Sequence, residues 1–346
     1  MRQNNRSVFI RYLLGLVLLG VVWGCGRWQK VTLQGRTMGT TYHITLLSSK
    51  RVVNPQPIQR AVDSLLQTIN ASMSTFDPNS EISRFNRWHS TRPFPVSSSF
   101  LKVVKKALEI YRESDGAFDI TVAPLVNLWG FGRKGPRFTV PDSGEIRRLL
   151  KHVGSQYLRI VGDSALQKED IQLTIDLSAI AKGYGVDAVA ELLRQCGFRN
   201  FLVEIGGEVF ASGIREERPW QVAINKPEFR MLPGSMIEGI LVLSDRAVAT
   251  SGDYLNFFEY HGKTYSHEIN PKTGWPIENN IASATVIAPR CITADAMATA
   301  LMVMPVEKGL AWVNRKPNIE SLIILRKGKE RFEERQSEGF ARYLTH

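Results

Sequence analysis

The stretch Thr174-Ile175-Asp176-Leu177-Ser178-Ala179-Ile180-Ala181-Lys182-Gly183-Tyr184-Gly185-Val186-Asp187 sets how the rest of the chain is read. The apolar Ile171, Leu173 and Ile175 lead into it as a short β-type run over 171–175, and Asp176-Leu177-Ser178 turns. A helix is predicted from there to about Cys196: Ile180, Val186, Val189, Leu192 and Leu193 keep helical spacing, and Gly197 supplies the stop. The first N–H groups of such a helix lack partners within it, and the partial positive charge there favours anions such as phosphate. Gly183 and Gly185 are poor helix formers, placed where a ligand or a second backbone needs close approach. Asp176 and Lys182 add opposite charges beside the turn. Taken by itself, the stretch reads equally well as an α/β junction that binds nothing.

Upstream, residues 31–47 read as strands interrupted at 36–40, with Tyr42, Ile44 and Leu46 alternating with Thr41, His43 and Thr45. An amphipathic helix over 57–73 carries Ile58, Val62, Leu65, Leu66, Ile69 and Met73 on its inner side, then gives way to a polar loop with a short helix from Ser80. A helix over 97–114 follows, then a run over 115–132 so rich in Gly and aromatic residues that it suits a pocket wall. A short basic helix over 142–152 and a strand over 157–161 complete this half. Beyond Gly197 strands dominate, over 200–205, 208–212, 220–224, 237–243, 247–250, 256–260, 264–269 and 284–288. A helix over 292–304 and a strand over 321–325 follow. Strands adjacent in sequence, with helices between sets, predict an α+β fold with largely antiparallel sheets rather than a doubly wound parallel one.

The 346 residues, 43% hydrophobic and 22% charged, have the composition of an ordinary globular chain. Net charge is +11, of which Arg2, Arg6 and Arg11 carry three, leaving +8 from Cys25 onward. That balance suits anionic membranes or phosphorylated ligands. No basic run with interleaved aromatics points to nucleic acid. The three arginines precede an eleven-residue apolar run over 13–23, too short to span a bilayer and shaped like a signal peptide. Val22-Trp23-Gly24-Cys25 resembles a bacterial lipobox, although Trp23 is bulkier than usual there. Residues 1–24 are therefore expected to be a lipoprotein signal peptide and 25–346 the functional unit, lipid-anchored at Cys25 in the bacterial cell envelope and facing the periplasm or exterior. An uncleaved interfacial anchor is the other reading. Cys196 and Cys291 could pair in an oxidising compartment but read better as separate buried thiols.

Asp295 and Thr299 stand four apart on one helical face, so they can share a ligand. Carboxylate plus hydroxyl suits a hard cation such as Mg²⁺, although local capping explains an isolated pair as well. His267, at a strand end before Asn270-Pro271-Lys272-Thr273-Gly274, is placed for acid–base work or simply packed. Ala249-Thr250-Ser251-Gly252-Asp253-Tyr254 is a hydroxyl-rich turn, and Gly206-Gly207-Glu208 is most simply a hairpin. P-loop, G-x-G-x-x-G and G-x-S-x-G motifs are absent from the sequence, which weighs against an ordinary kinase, dehydrogenase or hydrolase.

The order of these pieces carries more than any one of them. Met38-Gly39-Thr40, Ser80-Glu81-Ile82-Ser83-Arg84-Phe85-Asn86, Gly116-Ala117-Phe118-Asp119, the Asp176–Tyr184 turn, Gly206-Gly207-Glu208, Ala249–Tyr254, Ser266-His267 and Ala294–Thr299 together resemble the ApbE family of FAD:protein FMN transferases. The resemblance runs from about residue 31 to 325. It implies a T-fold-like α+β architecture and a Mg²⁺-dependent enzyme that moves FMN from FAD to a Thr or Ser hydroxyl of a partner protein, releasing AMP. It also implies that Met38, Phe76, Ala117, Phe118, Asp119, Asp176 and Lys182 line the FAD site. Ala179 (through its carbonyl), Asp295 and Thr299 would hold Mg²⁺, with His267 and Asp295 as the catalytic residues. Acceptors of the expected kind are flavoprotein subunits of membrane electron-transport complexes. An FAD pyrophosphatase using water, or a non-catalytic flavin-binding lipoprotein, are the alternatives.

Overall fold

Alternation in Tyr42-His43-Ile44-Thr45-Leu46 puts Tyr42, Ile44 and Leu46 in the core. This segment belongs to a strand, Thr40–Ser48, that pairs antiparallel with Gln29–Thr37. Met38 (φ 49°) and Gly39 (φ 74°) form the two-residue turn, with the positive angles that match strand twist in a tight hairpin. The computed structural model describes residues 28–48, 53–133, 135–225, 227, 237–253, 256–328 and 331–345. The leader, its arginines and Cys25 lie outside the described residues, as does Tyr254.

That hairpin opens an eight-stranded sheet. It continues through Asn200–Ile205, Glu208–Ser212, Arg246–Gly252, Ile281–Ala288, Glu320–Arg326 and Phe332–Gln336. Spatial order follows chain order, and every neighbouring pair is antiparallel. The α+β expectation holds. Ile281–Ala288 is buried along its whole length because both faces of the sheet are covered. Ala284, Val286 and Ala288 face the main core, while Ile287 faces a second cluster with Trp220, Leu241, Leu243 and Phe340.

Helices cover the main-core face. The central helix, Ser178–Gln195, has its buried positions at Ile180, Val186, Val189 and Leu193, and Gly197 (φ 85°) ends it as predicted. The late helix, Cys291–Val303, packs on the central helix and on three sheet strands. Ser98–Glu113 and Pro55–Met73 pack beside them. A third cluster around Trp129, Phe258, Ile269 and Ile146 supports the loop that carries His267.

Two sequence expectations are corrected. Residues 171–175 form no strand; the nearby strand is Ala165–Lys168, paired with Leu158–Val161 and Phe94–Pro95. The Asn86 side chain takes the place of a strand partner. Its Oδ1 accepts from Ile175 N–H at 2.8 Å and its Nδ2 donates to the Ile175 carbonyl at 2.9 Å. Asp176 N–H donates to the Ile120 carbonyl at 2.7 Å. Cys196 is exposed rather than buried because it closes the central helix, whereas Cys291 is buried; both are free thiols.

Candidate active site

The central and late helices cross at Gly183. A Cβ there would lie 2.5 Å from the Cys291 carbonyl oxygen and 2.7 Å from Asp295 Cβ, so glycine is what lets the two backbones meet. Of the two reasons for glycine read from sequence, the second backbone is the one observed. One turn later Asp187 accepts from the N–H groups of Cys291 (2.9 Å) and Ile292 (3.1 Å), and Arg290 Nε lies 3.1 Å from the same carboxylate. The late helix thus takes its N-terminal cap from its neighbour.

This crossing aims Asp295 at the second turn of the central helix. Asp295 Oδ2 accepts from Gly183 N–H at 2.8 Å. Ala179 lies four residues before Gly183, in the first turn of the same helix. Thr299, one turn beyond Asp295, shares a hydrogen bond of 3.2 Å with Ser251 Oγ. Asp295 thus reaches the central helix at Gly183, and Thr299 stands one turn further along the late helix.

Lys182 Nζ donates to Glu208 Oε1 at 2.8 Å and stands 3.9 Å from Asp295 Oδ1. Its stem passes over Gly206, where a Cβ would sit 3.3 Å from Lys182 Cδ. Glu208 and Asp295 are 4% and 3% exposed, burial that is tolerable for charges only when they are paired. Burial pushes both carboxyls above the usual carboxylate range, against the pull of the Lys182 ammonium. Burial would draw Lys182 down, but Asp295 and Glu208 together hold it above the ordinary lysine value. Glu208 Oε2 is buried without a hydrogen-bond partner. Sequence reading took Glu208 as a hairpin residue and missed this charge cluster.

His267 directly follows the strand Lys263–Ser266, in line with its expected position at a strand end. The Asn256 carbonyl accepts from its backbone N–H (3.0 Å) and lies 3.2 Å from Nδ1. A carbonyl only accepts, so the ring proton belongs on Nδ1 and the Nε2 lone pair is free. Glu268 Oε1 is 3.5 Å from Nε2, and burial pushes this carboxyl up. Phe131 packs edge-on against the imidazole at 6.3 Å. Asp253 pushes the Glu268 carboxyl further up, and the Lys182 ammonium pulls it down.

The other expected residues separate by role. Met38 lies on the central helix, its Cε 2.9 Å from where a Gly185 Cβ would be. Asp176 Oδ1 accepts from Ser178 N–H at 2.7 Å, so the helix N-terminus proposed for an anion is partly taken by the protein's own carboxylate. Asp176 also lines a cavity of about 130 Å³ with Thr75, Asn86, Asn127 and Arg133. Phe76 is 75% exposed beside Thr75. Ala117 and Phe118 are buried, and with its ring in the main core Phe118 presents no face to a ligand. The Asp119 carboxylate is consumed internally, accepting from Thr121 N–H (2.8 Å), Thr121 Oγ1 (2.7 Å), Ser155 Oγ (2.6 Å) and Ser155 N–H (3.1 Å). A larger cavity of about 570 Å³ lies on its far side, lined by Tyr111, Gly116, Asp119, Gln156 and Lys272 and away from Asp295.

Among the described residues no group of three or more His, Cys, Asp or Glu side chains converges on one point. A cation at the crossing would thus have mixed ligands, one carboxylate with a hydroxyl and a carbonyl. Such a sparse all-oxygen set fits Mg²⁺, which keeps its remaining positions for water and phosphate. The buried excess of carboxylate over ammonium and the orphaned Glu208 oxygen fit a missing positive charge.

A sequence model described as the ApbE family matches residues 38–323. The chain belongs to the ApbE family. It is 42% identical to the FAD:protein FMN transferase of Vibrio cholerae over 336 residues, 96% of this chain and 99% of that one. Identity to the Haemophilus influenzae FAD:protein FMN transferase is 37%, covering 91% and 93%. The solved structure of the flavin transferase ApbE from Vibrio cholerae superposes with a TM-score of 0.83 at 42% identity, covering 92% of this chain and 100% of that one. The apo Pseudomonas stutzeri flavinyl transferase ApbE gives 0.80 at 34%, covering 91% and 97%. The fold is thus that of the ApbE flavin transferases. The ApbE model spans the helix crossing, the Asn86 clamp and the His267 loop alike.

Proposed function

We propose that this chain is a Mg²⁺-dependent enzyme that transfers FMN from FAD to a threonine or serine hydroxyl of an acceptor protein and releases AMP. Flavin transfer is what membership of the family carries; the cation, the hydroxyl and the leaving group rest on the site. The observation that supports them is the reach of the Asp295 carboxylate onto the central helix at Gly183, four residues after Ala179, with Thr299 one turn further along the late helix. These three would hold Mg²⁺, which when bound supplies positive charge against phosphate oxygens. Lys182 adds a fixed positive charge beside them. The acceptor oxygen bonds to the FMN phosphorus, the phosphoanhydride bond to AMP breaks, and the hydroxyl proton goes to Nε2 of His267. Met38 and Phe76 offer apolar surface to the flavin, while Ala117, Phe118 and Asp119 stiffen the wall behind. The cavity beside Asp176 is smaller than the ~300–1,000 Å³ of most cofactor pockets, so a dinucleotide extends past its rim toward Phe76.

In the cell the chain is held by lipid on Cys25 at the envelope membrane, where it modifies flavoprotein subunits of membrane electron-transport complexes. The deciding experiment incubates the chain with FAD, Mg²⁺ and a periplasmic domain bearing a flavinylation threonine. A covalent FMN adduct by mass spectrometry with free AMP is expected. Free FMN without adduct makes it an FAD pyrophosphatase, and unchanged FAD leaves a flavin-binding protein.

A further inference from the structure

Glu208 has no task in the reaction above, yet it is a buried charge beside the groups that do. It sits just after the Gly206-Gly207 turn, where φ values of 59° and 100° fix the hairpin. Its Oε1 takes the Lys182 ammonium at 2.8 Å, while Asp295 Oδ1 is left 3.9 Å from the same nitrogen. One ammonium thus lies between two buried carboxylates and is bonded to only one of them. A direct Lys182–Asp295 bond would occupy the carboxylate that a cation needs, and closing the remaining gap takes a shift of about one ångström, well within the reach of a lysine stem. What opposes that shift is the cost of leaving Glu208 buried and unpaired, since its other oxygen already lacks a partner.

We propose that Glu208 is a positioning residue that draws Lys182 away from Asp295 and so keeps Asp295 open to a divalent cation. The proposal rests on the cation site described above. With Glu208 present, a cation reaches Asp295 Oδ1 without displacing the Lys182 ammonium. With a neutral residue at 208, the ammonium turns to Asp295 and competes with it.

The test is Mn²⁺ binding to the detergent-solubilised full chain without FAD, followed by calorimetry and by the electron paramagnetic resonance signal of free Mn²⁺. Glu208→Gln is expected to weaken binding about tenfold, and Lys182→Met added to it to restore most of the loss, a coupling of the size seen between contacting residues. A residue that merely supports the fold gives no such rescue. Glu208→Gln that binds like the wild type, or a double variant as weak as Glu208→Gln, overturns the proposal. Should Glu208→Gln not fold, Lys182→Met is read alone: Mn²⁺ binding at least as tight as wild type supports the competition, and weaker binding overturns it. A wild-type chain that binds no Mn²⁺ removes the cation site and this proposal with it, whereas wild-type binding lost in Asp295→Ala keeps the site.

Discussion

Asp119 spends its carboxylate on its own neighbourhood, joining Thr121 to Ser155. Burial pushes its carboxyl up, and four donated hydrogen bonds pull the other way. Asp119→Asn turns an acceptor into a donor facing another donor, so a stability loss of roughly 1–3 kcal/mol is expected by denaturant titration. His267→Ala removes the proton acceptor without touching the helix crossing. It should leave FAD binding intact and slow transfer by about 10²–10⁴-fold in single-turnover kinetics. Lys168 is fully buried, with its ammonium over the Phe85 ring and 3.3 Å from the Asn86 carbonyl. Burial lowers its pKa from the ordinary 10.5 to about 8. Below pH 8 the charge is buried at a cost; between 8 and 10.5 the folded chain has lost the proton while the unfolded chain still holds it, so stability rises with pH across that window. The thermal midpoint of Lys168→Met minus that of wild type should therefore fall steadily from pH 7 to pH 10.

At the scale of elements, everything chemical depends on two helices touching at Gly183. Gly183→Ala forces a methyl group into the Cys291 carbonyl, so the helices must part. A loss of about 2–3 kcal/mol by thermal or denaturant unfolding is expected, together with weaker Mn²⁺ binding, even though alanine favours a helix. The central helix was legible in the sequence because apolar spacing and Gly197 are local signals. The first hairpin was legible for the same reason. Residues 171–175 were not: alternation tells which way side chains face, not what satisfies the backbone, and the group that does so is Asn86, 89 positions away. Glu208 was hidden likewise, because its partner Lys182 comes from another element and nothing in Gly-Gly-Glu announces an ion pair. The grouping of Asp295 with Ala179 came from resemblance alone; spacing offered only the i, i+4 relation to Thr299.

At the scale of the whole molecule, the strand order and the apolar leader bear on where the protein works. No helix among the described residues is long and apolar enough to cross a membrane; the lipid on Cys25 proposed above is the attachment to test. Cys25→Ser should move the protein from the membrane to the soluble fraction on cell fractionation; unchanged sedimentation with membranes counts against lipid attachment there. The sheet's plain order also shapes how the chain is built. Strand Thr40–Ser48 pairs on its far side with Asn200–Ile205, so a polypeptide being made from its N-terminus shows an unzipped β-edge until that later segment arrives. During this interval the nascent chain is open to rogue strand pairing, and a holdase that shields the edge would govern how much enzyme matures.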